Sequence, residues 1–187
     1  MPVGYDEKGK WKFSFIPEYA DCIARVANVW ARLEYDVSVA IWALADVRPA
    51  IGACITSQVF TLRSKLDALL ALAKLRRVDG AIIREINKFA DDARGGQEIR
   101  NRIIHDQWLQ DNINPGQMGH LRITAAKVLE FKIKPVIFPD LAADLERLED
   151  LATRFHGIRQ AIETALPTLP EIPQSELHPI TESRQDP

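Results

Sequence analysis

The sequence predicts an all-α protein, an antiparallel bundle of four or five helices with a small inserted β-hairpin near residues 120–136. Three observations predict it: long stretches with apolar residues every three or four positions, turn signals between them, and one short stretch whose period approaches two. The composition agrees, because 187 residues with 47% hydrophobic and 27% charged residues suffice for one globular core. We expect a flexible arm at 1–16, the bundle at 17–166, and a proline-rich extended tail at 167–187.

Two long amphipathic helices are predicted in the first part of the chain. Between Pro17 and about Val47, apolar residues recur at the spacing of one helix face. Pro49 disfavours helical geometry in the residue before it, so the first helix is expected to end there. The pattern then restarts and predicts a second long helix that reaches Ala73. The apolar positions are Ile23, Val26, Trp30, Leu33, Val37, Ile41 and Leu44, then Ile55, Val59, Leu62, Leu66, Leu69 and Ala73.

A third helix is predicted to follow Asp79, whose carboxylate is a suitable N-cap for the first unpaired N–H groups. We expect the pair Gly95–Gly96 to break or kink this helix. The helical pattern then resumes and runs through Trp108. The cluster Asn112–Gly116 is rich in asparagine, proline and glycine, so it predicts a loop.

The pattern changes once more before the end of the chain. Between His120 and Val136, apolar and β-branched residues partly alternate with lysines, which predicts a hairpin. Asp140 opens a final long helix with an apolar stripe that reaches Ile162. The recurring prolines after Pro167 predict the tail.

Cysteine usage and hydropathy favour a cytoplasmic protein with reduced thiols. Cys22 and Cys54 are too few for a disulfide framework and have no partner at metal-ligand spacing. No apolar run approaches the ~20 residues that cross a bilayer, so no membrane association is expected. The histidines are scattered without an HExxH motif, and no glycine-rich phosphate loop is present, so neither a metal nor a cofactor is expected.

The net charge of −2 hides an uneven distribution. Residues 61–105 carry ten basic and six acidic residues, whereas residues 140–187 carry four basic and ten acidic residues. The simpler interpretation is a solvated helix face. The alternative is a basic strip that contacts a phosphate backbone.

The segment from Gly95 to Trp108 concentrates arginine, asparagine and histidine on one short stretch of predicted helix. Asn101 and His105 are four residues apart and share a helix face, so the amide is expected to orient the imidazole ring. The long side chain of Arg100 can curl back toward His105, which would let all three converge on one anion. A helix that starts near Gly96 would also direct its positive dipole end at that anion.

These residue types suit RNA cleavage without a metal. Arginine offers a fixed cationic fork for a phosphate, and histidine exchanges a proton near neutral pH. Cleavage requires the 2′-hydroxyl to lose a proton, the pentacoordinate phosphorus to be stabilised, and the leaving oxygen to gain a proton.

The Arg-Asn-x-x-x-His sequence from Arg100 to His105 resembles the signature of the HEPN superfamily (higher eukaryotes and prokaryotes nucleotide-binding). HEPN domains are helical bundles, and many are metal-independent endoribonucleases in which dimerisation brings two motifs into one cleft. The resemblance is close over residues 95–108 and loose over the helical arrangement. It implies Arg100 and His105 as catalytic residues with Asn101 in support, in a homodimer that acts on RNA.

Two further residues are candidates for substrate binding, each with a simpler alternative. Arg102 would contact a phosphate, or would form surface ion pairs of small energetic value with Glu98 or Asp106. Trp108 would stack on a base, or would anchor the core or a dimer interface.

The leading hypothesis is therefore a homodimeric endoribonuclease that acts by 2′-hydroxyl attack, with its site at the dimer interface. The alternative is a non-catalytic helical dimer that binds a nucleotide or RNA, or scaffolds a partner. A toxin-like enzyme held in check by an antitoxin-like protein partner is a third hypothesis.

Overall fold

The helical spacing in the sequence becomes five α-helices in the structure, a computed structural model that describes residues 16–110, 118–124 and 130–168. The helices are α1 (Pro17–Ala45), α2 (Pro49–Thr56), α3 (Leu62–Leu75), α4 (Gly80–His105) and α5 (Phe138–Ala165), with a short 3₁₀ turn at Leu166–Thr168. The strands are β1 (Gln107–Gln110), β2 (Met118–Thr124) and β3 (Glu130–Val136). The predicted class, all-α with a small inserted hairpin, is confirmed. The loop Asn112–Gly116, the arm before residue 16 and the tail after residue 168 lie outside the described residues.

The first prediction that fails is the single long helix after Pro49, because α2 and α3 are separate. Helix α2 ends at Thr56, with Ser57 as its C-cap. Thr61 then caps α3, since its hydroxyl accepts from the backbone N–H of Ser64 at 3.1 Å. This side-chain N-cap starts a new helix, although the apolar spacing suggested continuity.

The predicted break at Gly95–Gly96 is also wrong, because α4 runs through both glycines without interruption. Gly96 lies against Leu151, Leu148 and Trp30, and a Cβ atom on it would be 2.5 Å from Cδ1 of Leu151. Gly95 has no such neighbour within 4 Å. Close packing of α4 on α5 thus offsets the low helix propensity of the pair, at least at Gly96.

Helix α4 ends at His105, three residues before the predicted end, and Trp108 lies in a strand. The hairpin of β2 and β3 is antiparallel, with Met118 opposite Val136 and Thr124 opposite Glu130. Strand β1 adds a third antiparallel strand that pairs Trp108 with His120. The other boundaries agree with expectation: Asp79 caps α4 by accepting from the Ala81 N–H at 2.7 Å, and Asp140 lies in the first turn of α5.

The described residues group into two compact units. Unit 1 comprises the residues up to Leu33 together with Ala93–Thr153, which include the sheet and the C-terminal part of α4. Unit 2 comprises Glu34–Asp92 together with the residues from Arg154 onward, which include α2 and α3. Each unit has its own buried apolar core. Unit 1 buries Tyr19, Cys22, Val26, Trp30, Leu33, Ile99, Ile103, Trp108, Met118, Leu141, Leu145 and Leu148; unit 2 buries Val37, Ile41, Leu44, Leu62, Leu66, Leu69, Ile86, Phe89, Phe155, Ile158 and Ile162.

The two cysteines differ in their surroundings. Cys22 is buried in unit 1, where its thiol donates to the Leu141 carbonyl at 3.7 Å and burial raises its pKa. Cys54 is exposed on α2, and both thiols are free. Among the described helices, none is long and apolar enough to cross a membrane.

Candidate functional site

The last two turns of α4 bring Arg100, Asn101 and His105 together in unit 1. Nη1 of Arg100 lies 2.8 Å from Nε2 of His105 and 3.0 Å from Oδ1 of Asn101. The arginine side chain curls along the helix surface toward a residue five positions ahead, as the sequence predicts. His105 and Asn101 are exposed, so the cluster faces solvent.

The contact between Arg100 and His105 is compatible with only one arrangement of hydrogen on Nε2 of the imidazole ring. A guanidinium only donates hydrogen bonds, so Nε2 of His105 must be the acceptor. The tautomer that makes this contact is the one with its hydrogen on Nδ1. A proton on Nε2 would place two donors 2.8 Å apart, which would break the contact.

Asn101 has a different partner from the one the sequence predicts. Its amide oxygen accepts from Arg100, so it holds the guanidinium, which in turn contacts the His105 ring. Nε of Arg100 is buried and has no hydrogen-bond partner among the described residues. Both contacts of this side chain therefore come from Nη1, which lies between Asn101 and His105.

The electrostatic environment also differs from expectation. Because α4 does not start at Gly96, the cluster does not lie at the positive end of a helix dipole. It lies at the C-terminal end of α4, where the carbonyl groups carry partial negative charge that favours cations. An anion at this site would thus be attracted by the arginine side chains and not by the helix.

Trp108 is placed where a base cannot stack on it. Its side chain is only 7% exposed, and Nε1 donates to the Ile103 carbonyl at 2.8 Å. Tyr19 packs against it at 6.1 Å between ring centroids, and His120 at 3.8 Å. This burial is what the alternative interpretation of Trp108, a core anchor, predicts.

Arg102 is exposed and borders a cavity of about 190 Å³ in unit 1, which we call the Arg102 cavity. Its walls come from the end of α4, from β2 and β3, and from the start of α5. The lining residues are Arg102, Ile103, Asp106, His120, Lys134, Pro135, Val136, Ile137, Asp140, Leu141 and Asp144.

A second histidine in this region was not singled out by sequence. Nδ1 of His120 lies 3.6 Å from Oδ2 of Asp106, and burial lowers the pKa of His120 although Asp106 opposes that shift. The pairing of β1 with β2 creates this arrangement, because it places His120 opposite Trp108. No local motif signals it, since Asp106 and His120 are fourteen residues apart in sequence.

Comparison with known proteins gives no match: no family model, no curated protein and no solved structure is similar to this chain. Within the part of the chain that the structure describes, no group of three or more histidine, cysteine, aspartate or glutamate residues is arranged to hold a metal ion. The chemistry of the site therefore depends on Arg100, Asn101 and His105 and on their surroundings.

Proposed function

We propose that the protein is a metal-independent endoribonuclease that cleaves RNA by attack of a 2′-hydroxyl on the adjacent phosphate. One observation supports it above the others: Nη1 of Arg100 and Nε2 of His105 lie 2.8 Å apart at an exposed helix end. A base and a cation at that separation are the groups that this reaction requires.

In the proposed reaction, Nε2 of His105 removes the proton of the 2′-hydroxyl. The 2′-oxygen then bonds to phosphorus, and the bond from phosphorus to the 5′-oxygen breaks. The leaving 5′-oxygen takes up a proton, and the products are a 2′,3′-cyclic phosphate and a 5′-hydroxyl. Arg100 releases His105, donates to the phosphate and stabilises the charge of the pentacoordinate state, while the Asn101 amide oxygen continues to accept from its guanidinium.

The second proton-transfer group is proposed to be His105 of a second protomer, so that the active form is a homodimer acting on RNA in the cytoplasm. If the enzyme is toxin-like, an antitoxin-like protein partner would cover this end of α4. Expression of the active chain alone would then arrest growth, and expression of the His105→Ala variant would not.

The test is cleavage of a labelled single-stranded RNA in the presence of EDTA. His105→Ala and Arg100→Ala should each lower the rate by about 10²-fold or more while helicity and oligomeric state stay unchanged. Arg32→Ala is the matched control, because Arg32 is an exposed arginine of unit 1, on α1, and does not line the Arg102 cavity. Cleavage that survives in both site variants, or that requires added metal, rules the proposal out.

A second candidate, binding without turnover, is favoured by one specific observation. Arg100 occupies the same nitrogen of His105 that would act as the base. If this contact persists with substrate bound, the cluster holds a phosphate and does not activate the hydroxyl. RNA that shifts in a native gel, loses that shift at high salt and is never shortened would support this candidate.

A further inference from the structure

The Arg102 cavity opens beside the proposed catalytic cluster on the same helix end. Arg102 precedes His105 by three residues and Asp106 follows it directly, and both line the cavity. His105 lies between these two lining residues in the last turn of α4, where three residues rise about 4.5 Å along the helix axis. A phosphate held at His105 would leave its neighbouring base close to this cavity.

Apolar side chains cover part of the cavity lining. Ile103 and Leu141 are buried, and Val136 is half-buried beside them. Flat aromatic rings bind well to such a surface, because their faces are poorly solvated while their edges require polar partners. The cavity therefore suits a small ring with a polar edge.

The polar lining consists mainly of hydrogen-bond acceptors on the α5 side. Asp140 and Asp144 are four residues apart on α5, hence one turn apart on the same helix face. Asp144 lies 3.9 Å from Arg147, and among the described residues no cation pairs with Asp140. A carboxylate accepts hydrogen bonds and, when ionised, donates none.

The cationic lining comes from α4 and from the sheet. Arg102 and Lys134 are both exposed at the cavity, and Lys134 lies opposite His120 in the pairing of β2 with β3. Three carboxylates against two cations make the cavity slightly acidic overall. It is therefore suited to a base with donor groups and a single phosphate at its edge, and poorly suited to a second phosphate.

We propose that the Arg102 cavity binds the base of a nucleotide that flanks the cut, and that it selects guanine. This inference rests on the proposed function for its position next to the scissile phosphate. The Watson–Crick edge of guanine presents N1–H and N2–H₂ as adjacent donors, which a single carboxylate accepts in a bidentate contact. Uracil presents one donor between two carbonyl oxygens, and those oxygens would face the Asp140 and Asp144 carboxylates without a proton between them.

Binding of GMP and UMP to the full-length protein tests this directly and does not depend on cleavage. We expect GMP to bind at least about tenfold more tightly than UMP, because hydrogen bonds to a charged acceptor contribute that much to affinity. Addition of GMP should also shift the His120 ring resonances in NMR spectra, because His120 lines the cavity. The double variant Asp140→Asn and Asp144→Asn should remove most of the preference for GMP. Asp150→Asn is the matched control, an exposed aspartate of α5 outside the cavity lining, and should leave it unchanged.

Each outcome decides between the alternatives. Equal affinities for GMP and UMP, no binding of GMP, or an unchanged preference in the double variant would each overturn the guanine site. If GMP binds selectively but the rate of RNA cleavage is the same in the His105→Ala variant, the cavity assignment stands and the proposed function fails. If cleavage depends on His105 but cut sites show no preference for a flanking guanosine, the proposed function stands and the cavity assignment fails.

Discussion

The cluster of Arg100 and His105 in unit 1 differs in its surroundings from the cluster of Arg159, His156 and Asp36 in unit 2. In unit 1, Arg100 contacts the neutral groups of Asn101 and His105 at an exposed helix end. In unit 2, Arg159 lies 3.1 Å from Asp36, whose other oxygen is 3.5 Å from Nδ1 of His156. Asp36 is 5% exposed, so this second cluster is centred on a buried carboxylate.

The difference shows why residue types alone do not define a site. In unit 2 the positive charge of Arg159 is compensated by Asp36 and, at 3.5 Å, by Glu163. A buried and compensated pair has little attraction left for an external anion. In unit 1 Arg100 contacts Asn101 and His105, and no carboxylate among the described residues pairs with it, so the guanidinium keeps its attraction for a phosphate.

The largest expected effect separates the two histidines by activity. His105→Gln should lower the rate of RNA cleavage by about 10²–10⁴-fold, because it removes the proposed proton-transfer group. His156→Gln should leave the rate unchanged within about twofold, as substitutions away from the site do. A cleavage rate that falls equally in both variants would show that His105 has no special role in cleavage.

The next largest effect separates the clusters by stability. Asp36→Ala should lower the free energy of unfolding by about 3 kcal/mol, because the guanidinium of Arg159 would lose a buried counter-charge. Asn101→Ala, on the exposed cluster, should change it by less than about 0.5 kcal/mol. Urea denaturation monitored by circular dichroism measures both values, and a larger loss for Asn101→Ala would reverse the assignment of roles.

A smaller effect on stability is expected at two glycines that differ in the space available for a side chain. A Cβ on Gly52 in unit 2 would lie 2.4 Å from the rigid indole of Trp42, whereas one on Gly95 in unit 1 would meet nothing within 4 Å. Gly52→Ala should therefore cost about 1–2 kcal/mol, since overpacking exceeds the gain in helix propensity. Gly95→Ala should instead stabilise the protein by about 0.5–1 kcal/mol. Thermal unfolding of the two variants should show melting temperatures that move in opposite directions.

The smallest effect concerns His120, which belongs to unit 1 but is largely buried. Burial lowers its pKa from the ordinary value of 6.5 in spite of Asp106, and Arg102 lowers it further. As pH falls below 6.5, the unfolded chain takes up a proton that folded His120 does not, so stability decreases until the lowered pKa is reached. The loss is at most about 1.4 kcal/mol per pH unit.

Urea denaturation of the wild type and of His120→Gln between pH 7.5 and pH 5 isolates this contribution. The variant should lose less stability over that interval than the wild type does. Identical pH dependences would show that His120 is as easily protonated in the folded protein as in the unfolded chain.

Much of the fold was predictable because long helices leave a repeated signal. The apolar spacing of α1 and α5 and the cap at Asp79 depend on residues near one another in sequence, and these elements agree with expectation. The predictions fail where contacts between residues far apart in sequence determine the local structure. Gly96 stays helical because Leu151 and Leu148 pack on it, and α4 ends early because Trp108 joins a strand opposite His120.

The candidate site divides in the same way. The approach of Arg100 to His105 follows from helix geometry and side-chain length, so five residues of sequence suffice to predict it. Asn101 contacts Arg100 and not His105 as predicted. Both side chains are within reach of its amide, and residue spacing along the helix does not show which one it contacts. The pairing of His120 with Asp106 requires the register of the sheet, so it becomes visible only in three dimensions.

The direction of α4 also affects how firmly an anion is held at its C-terminal end. Because the helix ends at His105, a bound anion meets the carbonyl end of the backbone and is held by side-chain charge alone. Dissolved ions compete directly with such a contact, so its occupancy falls as ionic strength rises. If the protein is the proposed ribonuclease, a contact of this kind favours release of the cyclic phosphate product once the bond is cut.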